Sequence, residues 1–170
     1  MERLWAAWRN TYVSSLDQPA AECVFCELTK QEDGPENLVL HRGETCYIVL
    51  NLYPYNNGHA MVLPYRHTQS LEDLTDEERS EMMRLAALVQ RALAERKKAQ
   101  GFNLGMNLGR VGGAGIPGHL HLHVVPRWPG DTNFMPVVGQ TKVLSEALDV
   151  TYEKLREGIA DILKREGAAS

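Results

Sequence analysis

The chain has 170 residues, 44% hydrophobic and 24% charged, with 18 Lys and Arg against 22 Asp and Glu for a formal net charge of -4. That size and mix suit one soluble globular domain with its own core. The slight acidity gives no pull toward nucleic acid or an anionic membrane, and no apolar run reaches the roughly 18 residues of a membrane span. Neither nucleic acid nor membrane is therefore expected as a partner.

The N-terminal stretch MERLWAAWRNTYV lacks the apolar core of a signal peptide, so a cytoplasmic protein is expected. Residues 16–36, rich in Asp, Gln, Glu, Gly and Pro, read as a loop that carries Cys23 and Cys26 as a C-x-x-C. With only three cysteines the chain has a poor disulfide framework, and the pattern points to metal or redox chemistry. Residues 37–41 and 45–53 read as strands around a turn at 42–44, which places Cys46 in the core. PYNNG at 54–58 marks a loop, and 59–65 a third strand. The best helix runs from Thr75 to about Gln100, with Thr75 and Glu78 as a capping box and Met82, Leu85, Val89 and Leu93 at helical spacing. A glycine-bearing strand over 102–109, a glycine-rich loop over 110–118, a strand over 119–125 and a weaker helix over 141–165 complete the pass. Helices segregated from runs of strands predict an α+β domain, with a mainly antiparallel sheet of about five strands packed with two main helices. The chain divides into an N-terminal segment (1–36) with the C-x-x-C, a core (37–140), and a C-terminal helix and tail (141–170), all within one domain.

His119, His121 and His123 alternate with Leu120, Leu122 and Val124. In a strand that alternation puts the imidazoles on one face and the apolar residues on the other. Three arrangements compete: chance burial, one three-histidine metal site, or a division of labour among the three. Aligned buried imidazoles all need partners, which argues against chance. Positions i and i+4 lie roughly 13 Å apart along a strand, too far to share one ion. The preceding loop favours divided labour, because Gly112, Gly113, Gly115 and Gly118 free the backbone to approach a ligand and its N–H groups to hold an anion. No Gly-Lys-Ser/Thr follows, and the next element is a strand, so this is not a Walker A loop.

The run HLHLHVV at 119–125 fits H-φ-H-φ-H-φ-φ without exception and resembles the histidine triad family of nucleotidyl hydrolases and transferases. NNGHAMVLPYRH at 56–67 and VFCEL at 24–28 are similar to that family's upstream segments. The resemblance implies His121 as the nucleophile, His123 on the phosphate, and His59 as a fourth histidine beside the triad. It implies Asn107 on phosphate oxygens, with Gly113 and Gly115 in the phosphate loop. It further implies a structural Zn²⁺ held by Cys23, Cys26, His67 and His119, optional Mg²⁺ with the substrate, and a homodimer. Arg127 and Trp128, the GDTNF stretch at 130–134, Arg3–Trp5 and Tyr12 resemble the bacterial diadenosine tetraphosphate phosphorylase subgroup. The hydrolase pattern Gly-Gln-Ser/Thr ahead of the triad is replaced by Gly115-Ile116-Pro117-Gly118. The missing glutamine leaves room for inorganic phosphate as acceptor.

The leading expectation is an enzyme that phosphorolyses diadenosine tetraphosphate to ATP and ADP through a nucleotidyl-histidine. The partners are then an adenine nucleotide or dinucleoside polyphosphate and inorganic phosphate. A hydrolase or phosphoramidase of adenosine nucleotides is the alternative. A catalytically weak nucleotide-binding protein and a redox protein working through Cys23 and Cys26 are the readings from other classes.

Overall fold

The computed structural model describes residues 23–139, 141 and 143–168, so Arg3–Trp5 and Tyr12 lie outside the described residues. Five strands form one antiparallel sheet: β1 (Val39–Arg42), β2 (Cys46–Leu50), β3 (Ala60–Pro64), β4 (Gly101–Gly105) and β5 (Leu122–Arg127), in the order β1-β2-β3-β5-β4. Among the described residues four helices accompany them: α1 (Val24–Leu28), α2 (Asp76–Lys97), α3 (Met135–Val138) and α4 (Leu148–Gly167). This is the α+β architecture expected, with α2 and α4 as the two long helices.

The central strands β2 and β3 are buried along their whole length. Helix α2 lays Met82, Leu85, Val89 and Leu93 against β2, β3 and β5, and α4 packs Tyr152, Leu155 and Ile159 beside α2 and β1. Ile48, Val62 and Leu122 pair in one row across the sheet, and Val49, Met61 and His123 pair in the next. Because neighbouring rows face opposite sides, His123 emerges on the face away from Leu122, beside Val49 and Met61.

Helix α2 begins at the expected capping box: the Thr75 hydroxyl accepts from the Glu78 amide and the Glu78 carboxylate from the Thr75 amide. It ends three residues earlier than the apolar spacing predicts, because Lys98 turns into the left-handed region (φ 56°) and closes the helix. Two other boundaries differ more. The C-x-x-C segment, expected as loop, folds into α1 because tertiary bonds hold it: the Arg42 guanidinium donates to the carbonyls of Leu28, Thr29 and Gln31, and Tyr47 Oη donates to the Phe25 carbonyl at 2.9 Å. The weaker helix starts at Leu148 rather than 141, since the Glu146 carboxylate is engaged by Lys97, Lys154 and Thr151 ahead of the first turn.

Candidate active site

Gly58 closes the turn before β3 with φ 87°, and a Cβ there would lie 2.7 Å from Leu93 Cδ2, so the turn requires glycine. It delivers His59 to the sheet fully buried, next to His123 on β5, with His59 Nε2 2.9 Å from His123 Nδ1. The proton positions follow from the backbone. The Tyr55 N–H donates to His59 Nδ1 at 3.1 Å, and Asn51 Nδ2 adds a second donor at 3.3 Å. Asn51 Oδ1 accepts from the Tyr53 amide, which fixes that side chain's orientation. His59 Nδ1 is therefore an acceptor, its Nε2 carries the proton and donates to His123 Nδ1, and His123 presents Nε2–H outward. Asn107 Nδ2 lies 3.5 Å from that nitrogen. A backbone amide cannot turn round and a side-chain amide can, so Asn107 meets His123 through its oxygen. Burial, with the charges of His123 and His121 behind it, pushes the His59 pKa down to about 3, so His59 is neutral at pH 7.

The three triad histidines do not share one strand. β5 begins at Leu122, and His119 and His121 precede it in chain that pairs elsewhere, Leu120 N–H donating to the Thr68 carbonyl at 2.6 Å. Leaving the ladder lets His119 turn toward α1 while His121 stays beside His123, their ring centroids 4.8 Å apart. His121 Nδ1 donates to the His119 carbonyl at 2.8 Å, so its Nε2 holds a lone pair. Burial lowers the His121 pKa, against the opposing pull of that bond, and keeps the lone pair available at neutral pH.

His119, also fully buried, donates Nε2–H to the Pro64 carbonyl at 2.9 Å. Its Nδ1 lies 3.5 Å from both Cys23 Sγ and Cys26 Sγ, and His67 Nδ1 lies 3.4 Å from Cys26 Sγ. All four ligand atoms fall within 4.8 Å of one another. A zinc tetrahedron with bonds of about 2.0–2.3 Å has edges of roughly 3.3–3.8 Å, which the three sulfur–nitrogen distances of 3.4–3.5 Å match. The His119–Pro64 bond supplies the outer partner that metal-binding imidazoles use to fix their tautomer. Phe25 fills the space between the two regions, its ring 5.6 Å from His119 and 5.3 Å from His121. Cys46 is fully buried, and burial raises its thiol to about 11, which makes it an inert core residue as expected.

A cleft of about 200 Å³ opens over the His121–His123 pair. It is lined by Asn107, Gly113, Gly115 and both imidazoles together with apolar side chains including Phe25, Leu38, Leu50 and Met61. Gly112 holds the glycine loop in shape, since a Cβ there would lie 2.3 Å from the Leu108 carbonyl oxygen. Leu38 stands in the left-handed region (φ 61°), a strain of about 1–3 kcal/mol for such a residue. Asn37 holds it there, its Oδ1 accepting from the Gly34 and Val39 amides at 3.1 Å each.

Every site residue expected from sequence thus falls into one of two adjoining groups. His59, His121, His123, Asn107, Gly113 and Gly115 surround the cleft or support it, and Cys23, Cys26, His67 and His119 form the cluster behind it. Tyr55, Asn51 and Phe25 were not expected. The signal for Asn51 was present, as a polar residue ending a buried apolar run; Tyr55 acts through its backbone, which leaves no trace in residue type.

A sheet of this order, with an alternating histidine run entering its fourth strand, defines a class. The chain belongs to the HIT-domain family, whose model matches residues 32–130. Within that family, the AP-4-A phosphorylase of Mycobacterium tuberculosis is 43% identical over 164 residues, covering 91% of this chain and 83% of the relative. Adenylylsulfatase HINT3 of Arabidopsis thaliana is 29% identical over 106 residues, 62% of this chain and 52% of the relative. Among solved structures, a Zn-bound histidine triad family protein from Mycobacterium smegmatis superimposes with a TM-score of 0.69 at 26% identity, over 85% of this chain and 98% of that one.

Proposed function

We propose that this protein is a nucleotidyl-transfer enzyme that phosphorolyses diadenosine tetraphosphate to ATP and ADP. The observation that carries the reading is the lone pair on His121 Nε2, bared because Nδ1–H is spent on the His119 carbonyl. Identity of 43% to an AP-4-A phosphorylase supports the substrate class. His121 Nε2 attacks the α-phosphorus of one adenosine, the N–P bond forms, and the P–O bond to the remaining polyphosphate breaks. ATP departs as its anion, its newly terminal oxygen accepting a hydrogen bond from His123 Nε2–H. Inorganic phosphate then attacks the adenylyl-histidine, releasing ADP and restoring the imidazole. Asn107 and the amides around Gly113 and Gly115 hold the phosphate oxygens, and His59 keeps His123 in the donating tautomer. The apolar lining of the cleft, Leu38 and Leu50 among it, takes the adenine.

Zn²⁺ belongs to the same reading, held by Cys23, Cys26, His67 and His119 and supported by the spacing of their ligand atoms and by the zinc-bound neighbour. When bound it supplies cross-links that pin α1 to the triad segment. Mg²⁺ is an optional companion of the polyphosphate. A homodimer in the cytoplasm completes the proposal, supported by β4, an edge strand that leaves Leu104 exposed. Water as acceptor is the second reading, favoured by the 29% identity to an adenylylsulfatase.

Incubation with diadenosine tetraphosphate, with and without inorganic phosphate, separates the two. Phosphorolysis gives equal ATP and ADP and stops without phosphate. AMP and ATP formed at the same rate in both reactions would overturn phosphorolysis in favour of hydrolysis.

A further inference from the structure

The segment after the triad, Pro126-Arg127-Trp128 with Asp131, touches neither the cleft nor the cysteine cluster, yet it is bonded throughout. Arg127 grips the Asp131 carboxylate with Nε at 2.5 Å and Nη2 at 2.9 Å, and the Trp128 amide donates to the same carboxylate at 3.3 Å. Trp128 Nε1 donates to the Lys97 carbonyl at 3.0 Å, which ties the turn to the end of α2. Both hydrogens of the buried Asn56 amide enter this assembly: Nδ2 donates to Asp131 Oδ2 at 2.8 Å and to the Pro126 carbonyl at 2.9 Å. Asn56 stands next to Tyr55, and its own carbonyl accepts from the His59 amide at 3.0 Å. Pro126 is three residues beyond His123 on β5. The clamp therefore joins the loop that presents Tyr55 N–H to the strand that carries His123.

We propose that Asn56, clamped by Asp131 and Pro126, is a positioning residue for the His59–His123 pair: it keeps Tyr55 N–H on His59 Nδ1 and so decides which nitrogen of His123 bears the proton. The proposal rests on the reading above, in which His123 Nε2–H donates a hydrogen bond to the departing phosphate. Asn56 does not line the cleft. Without the clamp the Tyr55 amide drifts, His59 can take its proton on Nδ1, and His123 then turns its lone pair outward, where it offers the departing phosphate no hydrogen bond.

Histidine-selective ¹⁵N labelling reads the tautomers directly. The wild type is expected to show neutral His59 and His123 protonated on Nε2. In Asn56→Ala, both should move toward mixed Nδ1/Nε2 populations. With diadenosine tetraphosphate and phosphate as probe, kcat should fall about tenfold or more while KM stays within about threefold. A folded Asn56→Ala protein that keeps both tautomers, or that keeps kcat within about threefold of wild type, overturns the proposal. If Asn56→Ala does not fold, Asp131→Ala breaks the clamp from its other side and carries the same expectations. A wild-type spectrum with the His123 proton on Nδ1 overturns the proposal by itself. Absence of turnover in the wild type would sink the substrate assignment, and the tautomer shift would still decide the role of Asn56.

Discussion

His121 meets two demands at once: its Nδ1–H is held by the His119 carbonyl, and its Nε2 lies unprotonated beside His123. Replacing it with Asn keeps a polar side chain but removes that nitrogen, the proposed nucleophile. Turnover of diadenosine tetraphosphate is expected to fall by about 10³-fold or more with the fold retained, and no adenylylated protein should be trapped without phosphate. More than about a tenth of wild-type turnover would mean direct attack by phosphate. Glu81 makes a different single-residue case. Its buried carboxylate accepts from the amides of Glu44 and Cys46 at 2.9 Å each and from the Thr45 hydroxyl at 2.6 Å. Burial alone would raise its pKa, but these bonds together bring it down to about 2. Glu81→Gln puts an NH₂ group against backbone donors and should cost about 1–3 kcal/mol in denaturant unfolding, with kcat unchanged.

Helix α1 is five residues long and too short to persist alone. Arg42, Tyr47 and the cysteine cluster hold it in place, and Phe25 hangs from it between His119 and His121. Purified protein is expected to carry about one Zn²⁺ per chain, and Cys23→Ser to lose the metal and on the order of several kcal/mol of stability, while kcat changes by less than about threefold. Metal analysis together with thermal melts checks this, and protein never exposed to chelator that carries no zinc would remove the ion from the proposal. The legibility of the elements follows the same division between local and distant causes. Helix α2 could be read because its capping box and apolar spacing are local. β2 and β3 were legible as apolar runs bounded by turn residues. Helix α1 was not, since the groups that satisfy its Phe25 and Leu28 carbonyls come from Tyr47 and Arg42, on strands well beyond it in the chain. The start of β5 was misread because alternation reports which way side chains point in extended chain, and not whether that chain is paired. His119 and His121 keep the alternation and lie outside the ladder, which is what frees one for the cysteines and the other for the cleft.

At the scale of the whole molecule, the buried neutral imidazoles set a limit on acid stability. His59 is held at about 3, and His121 is lowered by burial in the same direction. In the unfolded chain these groups take up protons near their ordinary value of 6.5, so the unfolded state binds more protons below that pH. Stability should fall as pH drops from 6.5. A second decline belongs to Glu81 and Glu146, both held at about 2 against an ordinary 4.5: their contribution is present above pH 4.5 and lost as pH falls toward 2. Melting temperatures measured from pH 8 to 3 should therefore drop in two stages, and His59→Gln should flatten the first. A melting temperature that stays level between pH 7 and 5 would contradict the buried neutral pair.

His119 serves both parts of this site, and it does so with different ends. Its side chain faces Cys23 and Cys26, while its main-chain oxygen orients His121. Any amino acid supplies a main-chain oxygen; few supply an imidazole. The ligand role can therefore be lost by descent while the orienting role is inherited unchanged, provided some other packing takes over the support of α1. In evolutionary terms the cluster is a detachable module and the alignment of His121 is not.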